Sequence, residues 1–230
     1  MKLVIPAPLT VAVPVAGGDF FPVHRVYCVG RNYAEHAVEM GHSSREPPFF
    51  FMKPADAVLP VADGETGVMA YPSLTANLHH EVELVVAIGV GGSHIAAAQA
   101  VRHIWGYAVG LDMTRRDLQN DMKKQGRPWC IGKAFEQSAP IGPITPIERC
   151  GELLHGAITL SVNGQPRQQG DLADLIWSVA ETIEQLSTAW TLQPGDLIFT
   201  GTPAGVGAVQ RGDVMRAAVA GLAPLCVTVR

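Results

Sequence analysis

The sequence predicts a β-rich α+β domain. Short apolar runs recur along the chain, bounded by turn residues, and each is the length of a strand rather than a helix. The 24 Gly and 17 Pro are spread throughout, as expected where many short strands are joined by turns. Only a few segments show helical spacing. The 230 residues suit one substantial domain, and 47% hydrophobic residues are enough for a real core. We expect a short N-terminal arm over residues 1–22 and a single catalytic domain over 23–230.

In chain order, the strand candidates are Arg25–Val29, Pro48–Met52, Glu83–Ile88, Tyr107–Leu111, Ala157–Val162, Asp196–Thr200, Val214–Val219 and Cys226–Val229. Asn163-Gly164 directly after Ala157–Val162 signals a tight hairpin, because both residues tolerate the left-handed backbone such a turn needs. Helix candidates are Asn32 to Met40, Ile95 to Val101, Arg115 to Lys124 and Asp174 to Leu186. In the last, Leu175, Ile176, Val179, Ile183 and Leu186 fall roughly on one face at 3.6-residue spacing.

Several function classes are excluded at this level. A net charge of −4 with mixed signs argues against a nucleic-acid footprint. No apolar run approaches the roughly 20 residues that span a bilayer, and the start lacks the continuous apolar stretch of a signal peptide. Cys28, Cys130, Cys150 and Cys226 form no C-x-x-C pair and have no zinc-type spacing with histidine. Cys28 and Cys226 lie in apolar runs and read as core, and reduced thiols in a cytoplasmic protein are the simplest account.

Chemistry concentrates in His79-His80-Glu81-Val82-Glu83, at the mouth of an apolar strand. Residues i and i+2 of a strand point to one face, so Glu81 and Glu83 project side by side. Two such charges are unfavourable together unless a cation or proton sits between them, and a hard divalent cation suits oxygen ligands. A solvated strand end is the alternative. Asp112 ends a second apolar strand before a polar stretch: alone it suits a helix cap, and beside the Glu pair it suits a third ligand for Mg²⁺ or Mn²⁺.

Other groups carry their own signals. On a helix, Glu39 would neighbour His36 at i+3 and raise its basicity for water activation, though such pairs are also common on exposed helix faces. The polar loop from Gly41 to Pro48 would let this helix move, making residues 32–48 a lid. Lys133 sits among small and apolar residues, where a charge must be paired or used; oxyanion stabilisation fits better than a Schiff base. Lys53 ends an apolar strand and either faces a site or snorkels to the surface, the latter being favoured for it alone. The Gly-rich turn from Gly201 to Gly207 could hold a carboxylate on its backbone N–H groups, but it is not a P-loop.

Ordered along the chain, these segments resemble the fumarylacetoacetate hydrolase family, and within it the acylpyruvase branch that includes fumarylpyruvate hydrolases. The matching pieces are Val29-Gly30-Arg31-Asn32-Tyr33 with His36 and Glu39, then Met52-Lys53-Pro54, His80-Glu81-Val82-Glu83-Leu84 and Gly110-Leu111-Asp112-Met113-Thr114. After them come Arg116-Asp117 with Gln119, Gly132-Lys133-Ala134-Phe135, Gly195-Asp196 and Thr200-Gly201-Thr202-Pro203-Ala204-Gly205-Val206-Gly207. The resemblance implies a mixed β-sandwich or roll, usually a homodimer, acting on a small keto acid. It implies Mg²⁺ or Mn²⁺ on Glu81, Glu83 and Asp112, a water-activating His36–Glu39 dyad, and substrate contacts from Arg116, Gln119, Lys133 and Thr202. The implied reaction is hydrolysis of a C–C bond in a 2,4-dioxo acid, with fumarylpyruvate as the leading substrate. Oxaloacetate decarboxylation, isomerisation or decarboxylation of unsaturated keto diacids, and a non-catalytic binding role are the alternatives. Arg31, Arg45 and Arg127 are candidates to meet a distal carboxylate.

Overall fold

A computed structural model of the chain describes residues 3–33 and 45–230. Two β-sheets face each other. The larger runs in the order Phe50–Lys53, Val26–Val29, Leu197–Phe199, Val82–Ile88, Ile104–Leu111, Ala139–Ile141, Val58–Pro60, with Thr145–Pro146 also pairing with Ile104–Leu111. The second runs Gln165–Asp171, Ala157–Val162, Val214–Val219, Leu225–Val229, Thr66–Met69. Parallel and antiparallel pairs occur in both, so the sandwich is mixed as expected.

Burial explains which strands lie where. Val82–Ile88 and Leu197–Phe199 are buried at every position, as central strands covered on both faces must be. Ala157–Val162 and Leu225–Val229 alternate buried residues with more exposed ones, since only one face of their sheet meets the core. That alternation leaves Cys226 half-buried rather than in the core, unlike Cys28, and all four cysteines are unpaired. Leu84, Val86, Tyr107 and Val109 of the large sheet pack with Leu160, Met215, Ala217 and Val227 of the second to form the main core. The opposite face of the large sheet carries Val85, Ala87, Ala108 and Phe199, covered by Val13 and Phe21 of the hairpin Ala12–Pro14/Phe20–Pro22.

The Asn163-Gly164 turn has positive φ at both residues, 52° and 77°, and joins Val162 to its partner Gln165. Helix Arg116–Lys124 matches its expected position. Ile95–Val101 is replaced by a 3₁₀ run, Ala97–His103, that leads straight into the strand at Ile104. The longest helix begins at Val179, not Asp174, with Ser178 and Glu181 forming a reciprocal cap.

Asn32 causes that later start. Its Nδ2 donates to the carbonyl of Trp177 at 2.8 Å, its Oδ1 accepts from the Trp177 N–H at 2.7 Å, and its own carbonyl accepts from Ile176 N–H. Tyr33 bridges Leu175 beside it. Leu175 is thereby held in a bridge and residues 176–177 in a bend, although Leu175 and Ile176 keep the helical apolar phase. The same bonds hold Asn32 and Tyr33 out of the helix expected over Asn32–Met40, whose remaining residues lie outside the described ones. Nδ2 of Asn32 also donates to the Thr200 carbonyl at 2.8 Å, so this buried amide joins three segments. Asn32→Ala should cost about 3 kcal/mol by leaving these groups unpaired, lowering Tm by roughly 6–12 °C in calorimetry. Asn32→Asp should not restore it, because a carboxylate would then face two carbonyl oxygens.

Candidate metal and keto-acid site

One end of the large sheet gathers the chemistry. Strands Val26–Val29, Leu197–Phe199 and Ile104–Leu111 all finish there, and Val82–Ile88 begins there. Glu83 pairs in register with Gly110, and the N–H of Asp112 donates to the carbonyl of Glu81 at 2.8 Å. Backbone pairing therefore places Glu81, Glu83 and Asp112 on one face of adjacent strands. All three are buried, which removes the solvated-strand-end alternative, and their ligand atoms lie within 4.8 Å of one another. Asp112 caps no helix: the helix behind it starts at Arg116, with Arg115 in the cap position.

Cations interleave with these acids. Lys133 Nζ lies 2.7 Å from Glu81 Oε2 and 2.6 Å from Asp112 Oδ2. Burial opposes its charge, but the carboxylates of Asp112 and Glu81 outweigh it and hold the ammonium above its usual pKa. A lysine held charged in this way is poorly suited to Schiff-base chemistry, which needs the free amine. Arg116 pairs with Glu81 and donates to Gln119 Oε1 at 2.5 Å, leaving the Gln119 N–H donors unclaimed among the described residues.

Lys53 does not reach the surface. It is fully buried, its Nζ 2.8 Å from Asp112 Oδ1 and bonded to the carbonyls of Met113 and Lys133. The expectation of a snorkelling lysine fails because Lys53 pairs in register with Val26, whose side chain lies on the hairpin-covered face of the large sheet.

Glu83 is the most isolated of the acids. Burial first, then the charges of Asp112 and Glu81, push its pKa well above the carboxylate range. Its Oε2 accepts from the N–H of Gly201 at 2.8 Å. The Gly-rich turn thus does hold a carboxylate, but the protein's own. Only glycine serves at 201: φ is +97°, and a Cβ would meet that of Asn32 at 2.7 Å. Gly132 is equally constrained, since a Cβ there would lie 2.9 Å from the backbone of Gln119; its absence lets the short helix Cys130–Lys133 deliver Lys133.

A pocket opens over this cluster, lined also by Thr202, Arg31, Phe51 and Trp129. Arg31 lines the adjoining aromatic groove too, beside Phe49 and Arg127, while Arg45 is engaged elsewhere by Glu181 and the Trp177 ring. His79 lies 3.4 Å from Arg116 Nε and 2.9 Å from Asn77; burial and then Arg116 lower its pKa to about 4, so it supports Arg116 as a neutral ring. His36 and Glu39, expected as a dyad, lie outside the described residues, as does most of the expected lid. Gln168, buried behind Thr202 and bonded to His80, carried no signal in the sequence that pointed to the site.

The donor set suits a hard divalent cation: three carboxylates converge, and Glu83, which has no cationic partner among the described residues, is held by a single backbone N–H. Sequence comparison places this arrangement in a known class. Residues 25–230 match the fumarylacetoacetate (FAA) hydrolase C-terminal model, and the chain belongs to that family. A fumarylpyruvate hydrolase from Pseudomonas aeruginosa, solved with Mn²⁺ and pyruvate, is 59% identical with a TM-score of 0.97, covering 99% of both chains. Fumarylpyruvate hydrolase of Ralstonia sp is 48% identical over 81% of this chain and 94% of its own. Oxaloacetate tautomerase YcgM of Escherichia coli is 43% identical over 84% of this chain and 87% of its own.

The cluster predicts a stability effect. Lys53→Ala should destabilise the protein by about 3 kcal/mol in urea unfolding, since it removes one of the two cations on buried Asp112 and a donor to the carbonyls of Met113 and Lys133. An unchanged midpoint and slope would mean that the ammonium is not part of the cluster's charge balance.

Proposed function

We propose that this protein is a metal-dependent acylpyruvate hydrolase, cleaving the C3–C4 bond of a 2,4-dioxo acid and most suitably converting fumarylpyruvate to fumarate and pyruvate. The observation that carries this reading is the buried carboxylate triad interleaved with Lys133, Lys53 and Arg116 at the floor of a pocket. In this reading Glu81, Glu83 and Asp112 hold Mg²⁺ or Mn²⁺, which supplies Lewis acidity to the 2-oxo acid end of the substrate. The Mn²⁺ and pyruvate in the Pseudomonas aeruginosa relative support that assignment.

Formal charge favours a dianion. Among the described residues three acids and three contacting cations balance, so a divalent ion would leave +2, matched by a substrate with two carboxylates. Arg31, where the acid pocket meets the aromatic groove, is the group suited to the distal carboxylate. Arg116, Gln119 and Thr202 hold the 2-oxo acid end. His36, kept basic by Glu39, takes a proton from water as its oxygen adds to C4. Lys133 offsets the oxyanion formed there. The C3–C4 electron pair then leaves as the enolate of pyruvate, and C3 regains the proton.

Oxaloacetate tautomerisation is the second reading, favoured by the YcgM relative; it too needs an enolate held beside a cation, but no water attack. Loss of the enol absorbance of fumarylpyruvate, followed with Mg²⁺ and then with excess EDTA, separates the two when oxaloacetate is run in parallel. Rapid, EDTA-sensitive loss of fumarylpyruvate with stoichiometric pyruvate is expected; turnover of oxaloacetate alone would overturn the hydrolase reading. His36→Ala should lower kcat about 10²–10⁴-fold while leaving Mg²⁺ affinity unchanged. Arg31→Met should raise KM for fumarylpyruvate about 10-fold or more and leave KM for acetylpyruvate, which lacks the distal carboxylate, nearly unchanged.

A further inference from the structure

Gln168 lies on the strand Gln165–Asp171 and is buried, yet it does not line the pocket that holds the acids. Its amide meets four groups. Oε1 accepts from the N–H of Val82 at 3.1 Å and faces His80 Nδ1 at 2.9 Å. Nε2 lies 2.8 Å from Thr202 Oγ1 and 2.9 Å from the carbonyl oxygen of Pro203.

Two of these partners have only one role each. A backbone N–H can only donate, so the atom facing Val82 is the amide oxygen. A carbonyl can only accept, so the atom facing Pro203 is the amide nitrogen. The amide therefore cannot be flipped, and its orientation does not rest on how a symmetric-looking group was drawn. Thr202 Oγ1 must then accept from Gln168. Its one proton is left without a protein acceptor among the described residues, and Thr202 is buried and lines the pocket together with Glu81, Glu83 and Asp112. An acceptor oxygen on a molecule bound in the pocket would meet that proton.

We infer that Gln168 is a positioning residue that commits the Thr202 hydroxyl to donate a hydrogen bond to a carboxylate or oxo oxygen of a bound 2-oxo acid. This rests on the proposed function only for the identity of the occupant. That the hydroxyl accepts from Gln168 and keeps its own proton to give follows from the hydrogen bonds alone. A pocket wall built in this way offers a donor to ligands that present an acceptor at that point.

Oxalate, an acceptor-only mimic of the pyruvate enolate, is the probe, titrated into Mg²⁺-loaded protein by calorimetry alongside KM and kcat for fumarylpyruvate. Thr202→Val removes the hydroxyl at nearly constant volume and should weaken oxalate about 10-fold, the equivalent of one hydrogen bond, with KM rising more than kcat falls. Thr202→Ser should restore both. Gln168→Glu presents an acceptor where the donor stood, so the hydroxyl turns toward it and oxalate should again weaken about 10-fold. The double variant should be no weaker than Thr202→Val alone, because both losses run through one hydroxyl.

Additive losses would overturn the inference, since a charge or packing effect of the Gln168→Glu change would persist without the Thr202 hydroxyl. Unchanged oxalate affinity in Thr202→Val would overturn it as well, whatever the activity. If Gln168→Glu does not fold, Gln168→Met replaces it, with a loss expected in the Thr202 background and none in Thr202→Val. A wild-type protein that cleaves no acylpyruvate, yet shows the non-additive oxalate cycle, would overturn the functional reading and sustain this one.

Discussion

Three carboxylates buried within one coordination sphere are the constraint on which the rest of the structure turns. Glu81, Glu83 and Asp112 cannot share that space as bare anions, because burial removes the water that would screen them. Lys133, Arg116 and Lys53 answer this with opposite charge, and Gly201 with a backbone dipole. Each answer comes from a different segment, so the strands, the two short helices and the Gly-rich turn must all end at the same place.

The sandwich supplies that convergence. Its large sheet is covered on both faces, by the second sheet on one and by the N-terminal hairpin on the other. Strand ends in such a sheet are held rigidly by the register of their neighbours. Glu83 opposite Gly110, and Asp112 bonded to Glu81, fix the acids through backbone rather than through side-chain rotamers. Preorganisation of this kind keeps the acids from relaxing apart when a cation is absent. Asn32 and Gln168 extend the principle outward as fully bonded buried amides. Asn32 ties the end of the strand Val26–Val29 to the Trp177 turn, and Gln168 ties Thr202 to the strands behind it.

Much of this is legible in the sequence. The alternation of Ala157–Val162, the Asn163-Gly164 turn and the spacing of Arg115 to Lys124 are local signals, and local signals depend only on neighbours in the chain. Glu81 and Glu83 are readable as a pair because strand parity places i and i+2 on one face. Helical spacing starts the longest helix too early, at Asp174, because Leu175 and Ile176 keep the helical phase. The bonds from Asn32 that hold this stretch out of the helix come from 145 residues away. Cys226 reads as core for a similar reason: an apolar run does not say which of its faces is covered.

By itself, then, the sequence determined a β-rich domain, the identity of the three acids and the residues that resemble those of a known family, since each is written in short-range pattern and ordered motif. Only the tertiary structure decided that Lys53 is buried against Asp112, that Gly201 caps Glu83 across 118 positions, and that Gln168 bonds the Thr202 hydroxyl from 34 residues away. The reason is physical. Whether a lysine is paired or solvated, and whether a hydroxyl donates or accepts, depends on which groups the fold brings within about 3 Å, and sequence spacing does not contain that distance.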